Sequence, residues 1–283
     1  MSTNQPFFIL GNPRSGTSLL RLMLNSHPEV TVPPECGFLL WLAKDYAHQL
    51  EYNSQTYINF TEDLFRTKKF ETWNIKKNDL LESIKREKPK TYNEMTCLVY
   101  RQYAKKNSKT PLIHGDKNNY YINEMNSIDQ LFPASKKIFI IRDGRDVAAS
   151  YLKIRNREIK SQYKPNLPSL ISEIAYQWQQ STFNAQLRSG NASSCIIRYE
   201  DLVQKPAQTL STICKHLNIY YTDEMLSFYL TNDEPAEFLQ WKAKTQHPVD
   251  TSSLGSYKKE LTQEQIESFE QHAQSALKAF HYL

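Results

Sequence analysis

The chain has 283 residues, 40% of them hydrophobic, which is enough for one large or two small domains with a real core. Its 35 basic and 30 acidic residues leave a net charge of +5. That charge is too small to indicate nucleic-acid binding, although it is compatible with an anionic nucleotide. No segment approaches the roughly eighteen apolar residues that a membrane span requires.

The chain start and the cysteines indicate the compartment. Residues 1–5 have neither the basic start nor the apolar stretch of a leader, so we expect none. The four cysteines are far apart and form no C-x-x-C pair; they are Cys36, Cys97, Cys195 and Cys214. We therefore expect buried, reduced thiols in a cytoplasmic protein, with neither disulfides nor a zinc site.

The first predicted element is a buried strand, Phe7–Leu10, followed by a tight turn over residues 11–16 and a helix that begins at Thr17. This arrangement binds phosphate, because backbone N–H groups and the helix dipole converge on an anion. The spacing of the two glycines and a serine is that of a P-loop, but Thr17 stands where a lysine is expected and the cation is Arg14. Without the lysine that bridges two phosphates of a nucleoside triphosphate, the loop suits a shorter, diphosphate-like anion.

The remaining elements predict an α/β fold. Three more short apolar runs predict strands covered on both faces: Pro111–His114, Lys137–Ile141 and Ser194–Arg198. Helices are predicted at Glu35–Leu50, Asn78–Lys88, Tyr92–Lys106, Leu167–Ser189 and after a capping box formed by Thr262 and Gln265. Residues 156–168 and 233–256 are predicted to be loops. We expect one domain over residues 1–283, with three layers, a mostly parallel central sheet flanked by helices, and a P-loop-like nucleotide site beyond the strands' carboxyl ends.

A second strand-to-helix junction carries another candidate phosphate site. Arg142 follows the Lys137–Ile141 strand, Asp143 is the predicted N-cap, and Ser150 lies two turns into the helix. Helical side chains lean toward the N-terminus, so Arg142 and Ser150 are expected to meet one phosphate. The planar guanidinium of arginine pairs well with two phosphate oxygens.

Together these segments resemble the 5′-phosphosulfate loop and the 3′-phosphate motif of the sulfotransferases that use 3′-phosphoadenosine 5′-phosphosulfate (PAPS). Gly144 stands where that family usually has proline. The resemblance extends in order over residues 7–41, 114–118, 138–152, 198–203 and 252–260. It implies transfer of a sulfuryl group to a hydroxyl, with adenosine 3′,5′-bisphosphate (PAP) as product. The donor-binding residues that it implies are Arg14, Ser15, Gly16, Thr17, Ser18, Arg142 and Ser150.

Two further fragments extend the implied donor site. Residues 198–202 resemble the family's R-Y-E-D-L stretch, whose tyrosine lies by the adenine, and this implies that role for Tyr199. Residues 252–259 resemble the loop that closes over the nucleotide, which implies contacts from Ser253, Tyr257 and Lys258. Serines replace the Arg-Lys-Gly triplet that cytosolic members have there, so a solvated lysine pair remains an alternative.

The reaction needs a base near the acceptor and cations near the leaving oxygen. Glu35 follows a double proline in a stretch that resembles bacterial, tyrosylprotein and Golgi sulfotransferases, where a glutamate deprotonates the acceptor. The rival base is His114, because cytosolic members use a histidine after a comparable strand and histidine has the better unperturbed pKa. We prefer Glu35 because its flanking residues match closely. Lys117 resembles the lysine on the leaving oxygen, with Arg14 assisting.

The sequence leaves two other functions open. One is an ATP-dependent small-molecule kinase, against which the missing P-loop lysine and the lack of a clear magnesium-binding aspartate argue. The other is a non-catalytic nucleotide-binding protein. The sequence shows no metal-ligand cluster, so we predict no magnesium requirement.

The sequence does not identify the acceptor. A hydroxyl-bearing small molecule, a sugar and a peptide remain open, as does the oligomeric state. Aromatic residues in segments that could wall an acceptor pocket, most of them expected to be core, are Phe38, Trp41, Tyr46, Tyr120, Tyr121, Trp178, Phe238 and Trp241.

Overall fold

A computed structural model describes residues 5–283, so the prediction of no leader falls largely on residues outside the described range. Five parallel strands form one sheet in the order β2–β3–β1–β4–β5. The strands are β1 (Phe7–Leu10), β2 (Val30–Thr31), β3 (Ile113–Lys117), β4 (Lys137–Ile141) and β5 (Ser194–Arg198). The predicted α/β class with a parallel sheet is confirmed.

Helices connect and surround the strands. The α-helices in residues 5–283 are α1 (Thr17–Asn25), α2 (Phe38–Trp41), α3 (Ala43–Tyr46), α4 (Ser54–Arg66), α5 (Lys77–Glu87), α6 (Tyr92–Lys106), α7 (Met125–Leu131), α8 (Gly144–Arg155), α9 (Ile171–Gln186), α10 (Tyr199–Gln204), α11 (Pro206–Leu217), α12 (Ala236–Lys242), α13 (Tyr257–Glu260) and α14 (Gln263–Ala279). Short 3-10 helices cover Phe70–Trp73, Asn119–Asn123, Asp223–Thr231 and Ala243–Gln246.

Side-chain alternation along the central strands divides the core into two layers. On β1, Phe8 and Leu10 pack against α8, α9 and α14, whereas Phe7 and Ile9 pack against α1 and α11 on the opposite face. All four side chains are buried. Because both faces are covered, these strands read as continuous apolar runs in the sequence. A third apolar cluster, formed mainly by α2 to α6 and the turn before α5, lies beside the sheet.

Several predicted elements are confirmed at their bounds. Strands β1, β4 and β5 and helix α6 begin and end where the sequence predicts. Asp143 caps α8 by accepting a hydrogen bond from the Arg145 N–H, and Thr262 and Gln265 form the predicted capping box of α14. These features depend on residues that are neighbours in sequence, so local rules identify them correctly.

Other predicted elements are wrong in extent. The helix predicted over residues 35–50 is two four-residue helices, α2 and α3, and the first begins only at Phe38. The strand predicted at 111–114 runs from Ile113 to Lys117, because pairing with β1 and β2 sets its register. The region predicted to be a loop at 233–256 contains α12. The two-residue strand β2 and the helix α4 have no counterpart in the prediction.

The structure tests two expectations from the sequence: buried cysteines and no membrane-spanning helix. No disulfide joins the four cysteines within residues 5–283; three of them are buried, whereas Cys195 is only partly buried, contrary to prediction. Within residues 5–283, no helix combines the length and the apolar character needed to cross a bilayer.

The carboxyl edge of the sheet brings the candidate residues together. The turn at 11–16 follows β1, Lys117 ends β3, Arg142 follows β4 and Tyr199 follows β5. Glu35 lies four residues beyond β2. Each of the five strands therefore delivers one candidate group to the same edge, where parallel sheets bind ligands.

Candidate active site

A cavity of about 730 Å³ opens at this edge of the sheet. Ten of the predicted site residues line it: Arg14, Gly16, Thr17, Ser18, Glu35, Lys117, Arg142, Ser150, Tyr199 and Ser253. The candidates for donor binding and for catalysis therefore share one space, although the sequence separates them by more than 230 positions.

The turn after β1 presents backbone donors to this cavity. Arg14 and Gly16 both adopt positive φ angles, 70° and 98°, and Ser15 N–H closes the turn by donating to the Asn12 carbonyl over 3.1 Å. Gly16 is the N-cap of α1 and has no side chain with which to cap it. The first N–H groups of α1 thus have no side-chain acceptor from the cap, and together with the helix dipole they favour an anion.

Gly16 is needed for a second reason. A Cβ atom there would lie 2.4 Å from Cδ2 of Tyr199, which is far inside van der Waals contact. The Tyr199 ring therefore packs directly on the backbone of the turn. This contact joins the loop after β1 to the residue after β5.

Two arginines form a cationic centre in the cavity. Arg14 Nε donates to Ser150 Oγ over 3.1 Å, and Arg142 Nη1 donates to the Arg14 carbonyl over 3.2 Å. The Arg142 guanidinium also lies over the Tyr199 ring, 4.7 Å from its centroid. Burial and the neighbouring charge of Arg142 lower the pKa of Arg14 to about 10. Two guanidinium groups held this close, with a serine hydroxyl at the same place, make a strong site for an anion.

Glu35 and Lys117 form the second charged centre. Lys117 Nζ donates to Glu35 Oε2 over 2.6 Å, and Lys69 Nζ donates to Glu35 Oε1 over 2.5 Å. Burial raises the pKa of Glu35, but the charges of Lys117, Lys69 and Lys242 outweigh it and hold the pKa well below its usual range. The carboxylate is therefore ionised at neutral pH, but it is a weaker base than an ordinary glutamate while these lysines stay beside it.

Comparison with known proteins agrees with this geometry. A model described as "Sulfotransferase family" matches residues 6–223, more than three quarters of the chain. The chain belongs to the sulfotransferase family.

Individual relatives are distant. A putative protein-tyrosine sulfotransferase of Caenorhabditis briggsae is 26% identical over 228 residues, covering 78% of this chain and 68% of that protein. The sulfotransferase domain of the Synechococcus PCC 7002 olefin synthase has a similar fold, with a TM-score of 0.62 and 20% identity over 96% of this chain and 95% of that one. A mouse sulfotransferase complexed with PAP has a TM-score of 0.50 and 15% identity over 97% of this chain and 84% of that chain. Family membership supports sulfuryl transfer and does not favour the kinase alternative.

The sulfotransferase does not place His114 in the cavity. His114 is the second residue of β3 and pairs with Thr31 of β2, three residues short of the strand end. Its ring stacks on Tyr100 with centroids 6.3 Å apart. Burial and the charge of Arg101 lower the pKa of His114 to about 4. Because the strand extends to Lys117, the lysine and not the histidine occupies its carboxyl end.

Three predicted donor contacts also lie outside the cavity. Ser15 is fully buried. Tyr257 donates its backbone N–H to Asp146 Oδ1 over 3.0 Å, and its ring packs under the Arg145 guanidinium. Lys258 is exposed beside that ring. Helix α13 begins at Tyr257 and directs these side chains to α8 and to solvent, so the alternative of a solvated lysine describes Lys258 better.

The turn before α13 still contributes to the site. The Ser253 carbonyl accepts a hydrogen bond from Arg142 Nη2 over 2.7 Å, and Ser253 Oγ lies 2.9 Å from the Tyr199 hydroxyl. Asp146 anchors this turn by accepting the Gly255 N–H over 2.9 Å. Asp146 therefore orders the turn before α13 and also forms an ion pair with Arg142, whose Nη2 lies 3.7 Å from Asp146 Oδ2.

Sequence reasoning missed two lysines of this sulfotransferase. Lys69 contacts Glu35 directly, and Lys242 of α12 lines the cavity while pairing with Glu234. Burial lowers the pKa of Lys242 to about 8, although Glu234 opposes this. Neither lysine belongs to a recognisable spacing pattern, and both lie among other lysines in the sequence. No local signal distinguishes them from surface residues.

A buried ion network holds Lys242 in place. Arg21 on α1 lies 2.9 Å from Glu234 Oε2 and 2.9 Å from Asp233 Oδ1, and it donates to the Val32 carbonyl over 2.9 Å. Arg21 and Glu234 are almost fully buried. The network thus connects α1 to the segment that contains Glu234 and Lys242.

The aromatic candidates divide between wall and core. Trp41, Tyr120, Phe238 and Trp241 line the cavity, whereas Phe38, Tyr46, Tyr121 and Trp178 pack in the apolar clusters. The Trp41 ring packs directly on the backbone of Gly37, since a Cβ atom there would lie only 2.4 Å from that ring. Within residues 5–283, no group of three or more His, Cys, Asp or Glu side chains is placed to hold a metal ion.

Proposed function

We propose that the chain transfers the sulfuryl group of PAPS to a hydroxyl acceptor, with Glu35 as general base and Lys117 as the cation on the leaving oxygen. The observation that carries this proposal is the 2.6 Å contact between Lys117 and Glu35 in the cavity that also holds Arg14 and Arg142. A base and cations for the leaving group are the two requirements of this reaction. One cavity supplies both.

The part of the cavity around Arg14 and Arg142 suits a bisphosphorylated adenosine. The turn at 11–16 and the start of α1 would bind the 5′-phosphosulfate through backbone N–H groups, with Arg14 beside it. Arg142 and Ser150 would bind the 3′-phosphate, and Tyr199 would lie by the adenine. The hydrogen bonds that connect Arg14, Ser150 and Arg142 support a single ligand spanning these groups. A PAP complex of a mouse relative with this fold is consistent with that assignment.

The transfer then follows from the charges. The acceptor oxygen attacks sulfur, its proton passes to a carboxylate oxygen of Glu35, and the bond between sulfur and the bridging oxygen breaks. The electron pair of that bond stays on the departing phosphate, where Lys117 and Arg14 stabilise it. As Lys117 moves from Glu35 to the departing oxygen, Glu35 loses one stabilising cation and becomes a stronger base.

The acceptor belongs to the class of hydroxyl-bearing small molecules, sugars or peptides. The C. briggsae relative carries a protein-tyrosine name, so a tyrosyl peptide is one candidate for the first assay. We also propose a cytoplasmic location, because none of the four cysteines forms a disulfide within residues 5–283 and disulfides are rare in that compartment. Cell fractionation with an antibody to the chain tests that location.

The decisive experiment measures turnover with sulfur-35-labelled PAPS against a tyrosyl peptide, a phenol, a sugar panel and a metabolite extract. We expect a labelled product from the wild type and none above background from Glu35→Gln, with PAP affinity of the variant within a few-fold of wild type. A wild type that binds PAP but labels nothing would support the non-catalytic alternative. Activity in Glu35→Gln would overturn the base assignment.

A thermal-shift assay separates the donor from ATP. PAP should raise the melting temperature without added metal, since a ligand that binds only the folded state stabilises it. Mg-ATP should shift it little. A shift with Mg-ATP alone would instead favour a kinase.

A further inference from the structure

The segment from Lys68 to Trp73 forms hydrogen bonds with the chain on both sides of Glu35. Trp73 Nε1 donates to the Pro34 carbonyl over 2.9 Å, and Cys36 Sγ donates to the Lys68 carbonyl over 3.6 Å. Pro34 and Cys36 are the two neighbours of Glu35. Lys69 is thereby placed opposite Glu35 by contacts that do not involve either charged side chain.

The backbone at Lys69 is itself unusual. Its φ is 74°, in the left-handed region that side-chain-bearing residues rarely adopt. Such a conformation costs free energy and persists only where the surrounding packing imposes it. Here Trp73 and Phe70, which follow Lys69 and are both buried, supply that packing.

The two oxygens of Glu35 have different partners. Lys69 Nζ contacts Oε1, whereas Lys117 Nζ contacts Oε2. In the proposed function Lys117 is required at the leaving oxygen of the donor. Lys69 is then the cation that still contacts the carboxylate and fixes its orientation.

We propose that Lys69 is a positioning residue that holds Oε1 of Glu35 throughout the reaction, so that Lys117 is released to the leaving oxygen. This inference rests on the proposed role of Glu35 as base. Lys69 touches neither donor nor acceptor in this account. Its effect passes through the orientation and the charge of Glu35.

The charged groups that face Glu35 determine the sign of the expected effect. Lys69, Lys117 and Lys242 lower the pKa of Glu35, while the buried Asp116 on β3 interacts with it repulsively. Removing the positive charge of Lys69 must raise the pKa of Glu35. The carboxylate would then be protonated, and inactive as a base, over a wider acidic range.

The test observes Glu35 directly by NMR titration of the full chain labelled with carbon-13 at the glutamate carboxyl. The Glu35 resonance is assigned by its loss in Glu35→Gln. We expect Lys69→Met to raise the titration midpoint by at least about one pH unit and Lys69→Arg to restore it nearly to the wild-type value. If Lys69→Met does not fold, Lys69→Gln gives the same comparison.

Lys68→Met is the matched control, because it removes the same charge one residue away. Lys68 lies over the Tyr163 ring and makes no ion pair with Glu35. Its midpoint should stay within about 0.3 units of the wild type. An unchanged midpoint in the neutral Lys69 variant, or an equal shift in Lys68→Met, would overturn the inference.

The outcomes also separate this inference from the proposed function. Retained turnover in Glu35→Gln sinks the base assignment whatever Lys69 does. Loss of turnover in Glu35→Gln together with an unmoved midpoint in the Lys69 variants sinks only the role of Lys69.

Discussion

Arg142 donates a hydrogen bond to the backbone carbonyl of Arg14 over 3.2 Å, across 128 residues of sequence. This bond joins the turn after β1 to the end of β4, and it brings two local motifs that each carry an arginine together in the proposed donor site. Both guanidinium groups also donate hydrogen bonds to backbone carbonyls across the cavity: Arg14 donates to Trp241 and Arg142 donates to Ser253.

Replacing Arg142 with alanine should therefore weaken PAP binding strongly. Truncating one partner of a desolvated charge pair costs about 2–4 kcal/mol, which corresponds to roughly 30- to 1,000-fold in Kd. Isothermal titration calorimetry at fixed salt measures this. The exposed Arg66 is the control, since it does not line the cavity; Arg66→Ala removes the same charge and should leave Kd unchanged. Equal losses in both variants would mean that only net charge matters.

Gly16 offers a test with an internal control. Gly16 and Gly190 both have positive φ, 98° and 84°, but only a Cβ on Gly16 meets another atom, at 2.4 Å from Tyr199. Each alanine substitution costs about 1 kcal/mol for its backbone conformation. Gly16→Ala should in addition displace Tyr199 and weaken PAP binding at least about tenfold, a loss of about 1.4 kcal/mol. Urea denaturation and calorimetry on both variants distinguish the two costs, and unchanged PAP binding in Gly16→Ala would contradict the packing of Tyr199.

The buried network around Arg21 should dominate the response to mutation on that side of the cavity. Arg21→Met leaves Glu234 and Asp233 without their shared cation, and removing one partner of a buried ion pair costs about 3–5 kcal/mol. Urea denaturation at pH 7 measures the loss. Arg86→Met, at an exposed position, is the control and should change the free energy of unfolding by less than about 0.5 kcal/mol.

The same network predicts acid sensitivity. Burial raises the pKa of Glu234, but Lys242 and Arg21 outweigh it and lower the pKa from 4.5 to about 2. A carboxylate with a lowered folded pKa stabilises the fold above its unfolded pKa, and this stabilisation is lost as pH falls from 4.5 to 2. The contribution is about 3 kcal/mol. The stability difference between wild type and Glu234→Gln should therefore shrink over that interval; a constant difference would refute the assignment.

His114 should be dispensable for transfer. It is half-buried, stacks on Tyr100 outside the cavity, and its pKa of about 4 leaves it neutral at physiological pH. His114→Gln should retain turnover within a few-fold, assayed with the acceptor that labels best, and melting curves check that the variant is folded. A dead but folded His114→Gln would reinstate histidine as the base.

The features that the sequence predicts correctly are those set by interactions between residues close together in the chain. The turn with Arg14, the β4–α8 junction with Arg142, and the caps at Asp143 and Thr262 were all predictable. Each depends on the spacing and chemistry of residues within about two helical turns, and those relations survive in any fold that contains the segment.

Tertiary structure decided what lies between these motifs. The rejection of His114 as the base depends on where β3 ends. Because β3 ends at Lys117 and not at His114, the lysine reaches the sheet edge and the histidine does not, which favours Glu35 as the base. Lys69 and Lys242 became neighbours of the site through packing of segments distant in sequence, which no local spacing encodes. The chain by itself thus determined the two strand-to-helix motifs that carry Arg14 and Arg142 and the parallel sheet. Only long-range packing determined which cations surround the carboxylate, because contact between distant segments is chosen by the burial of whole faces and not by adjacent residues.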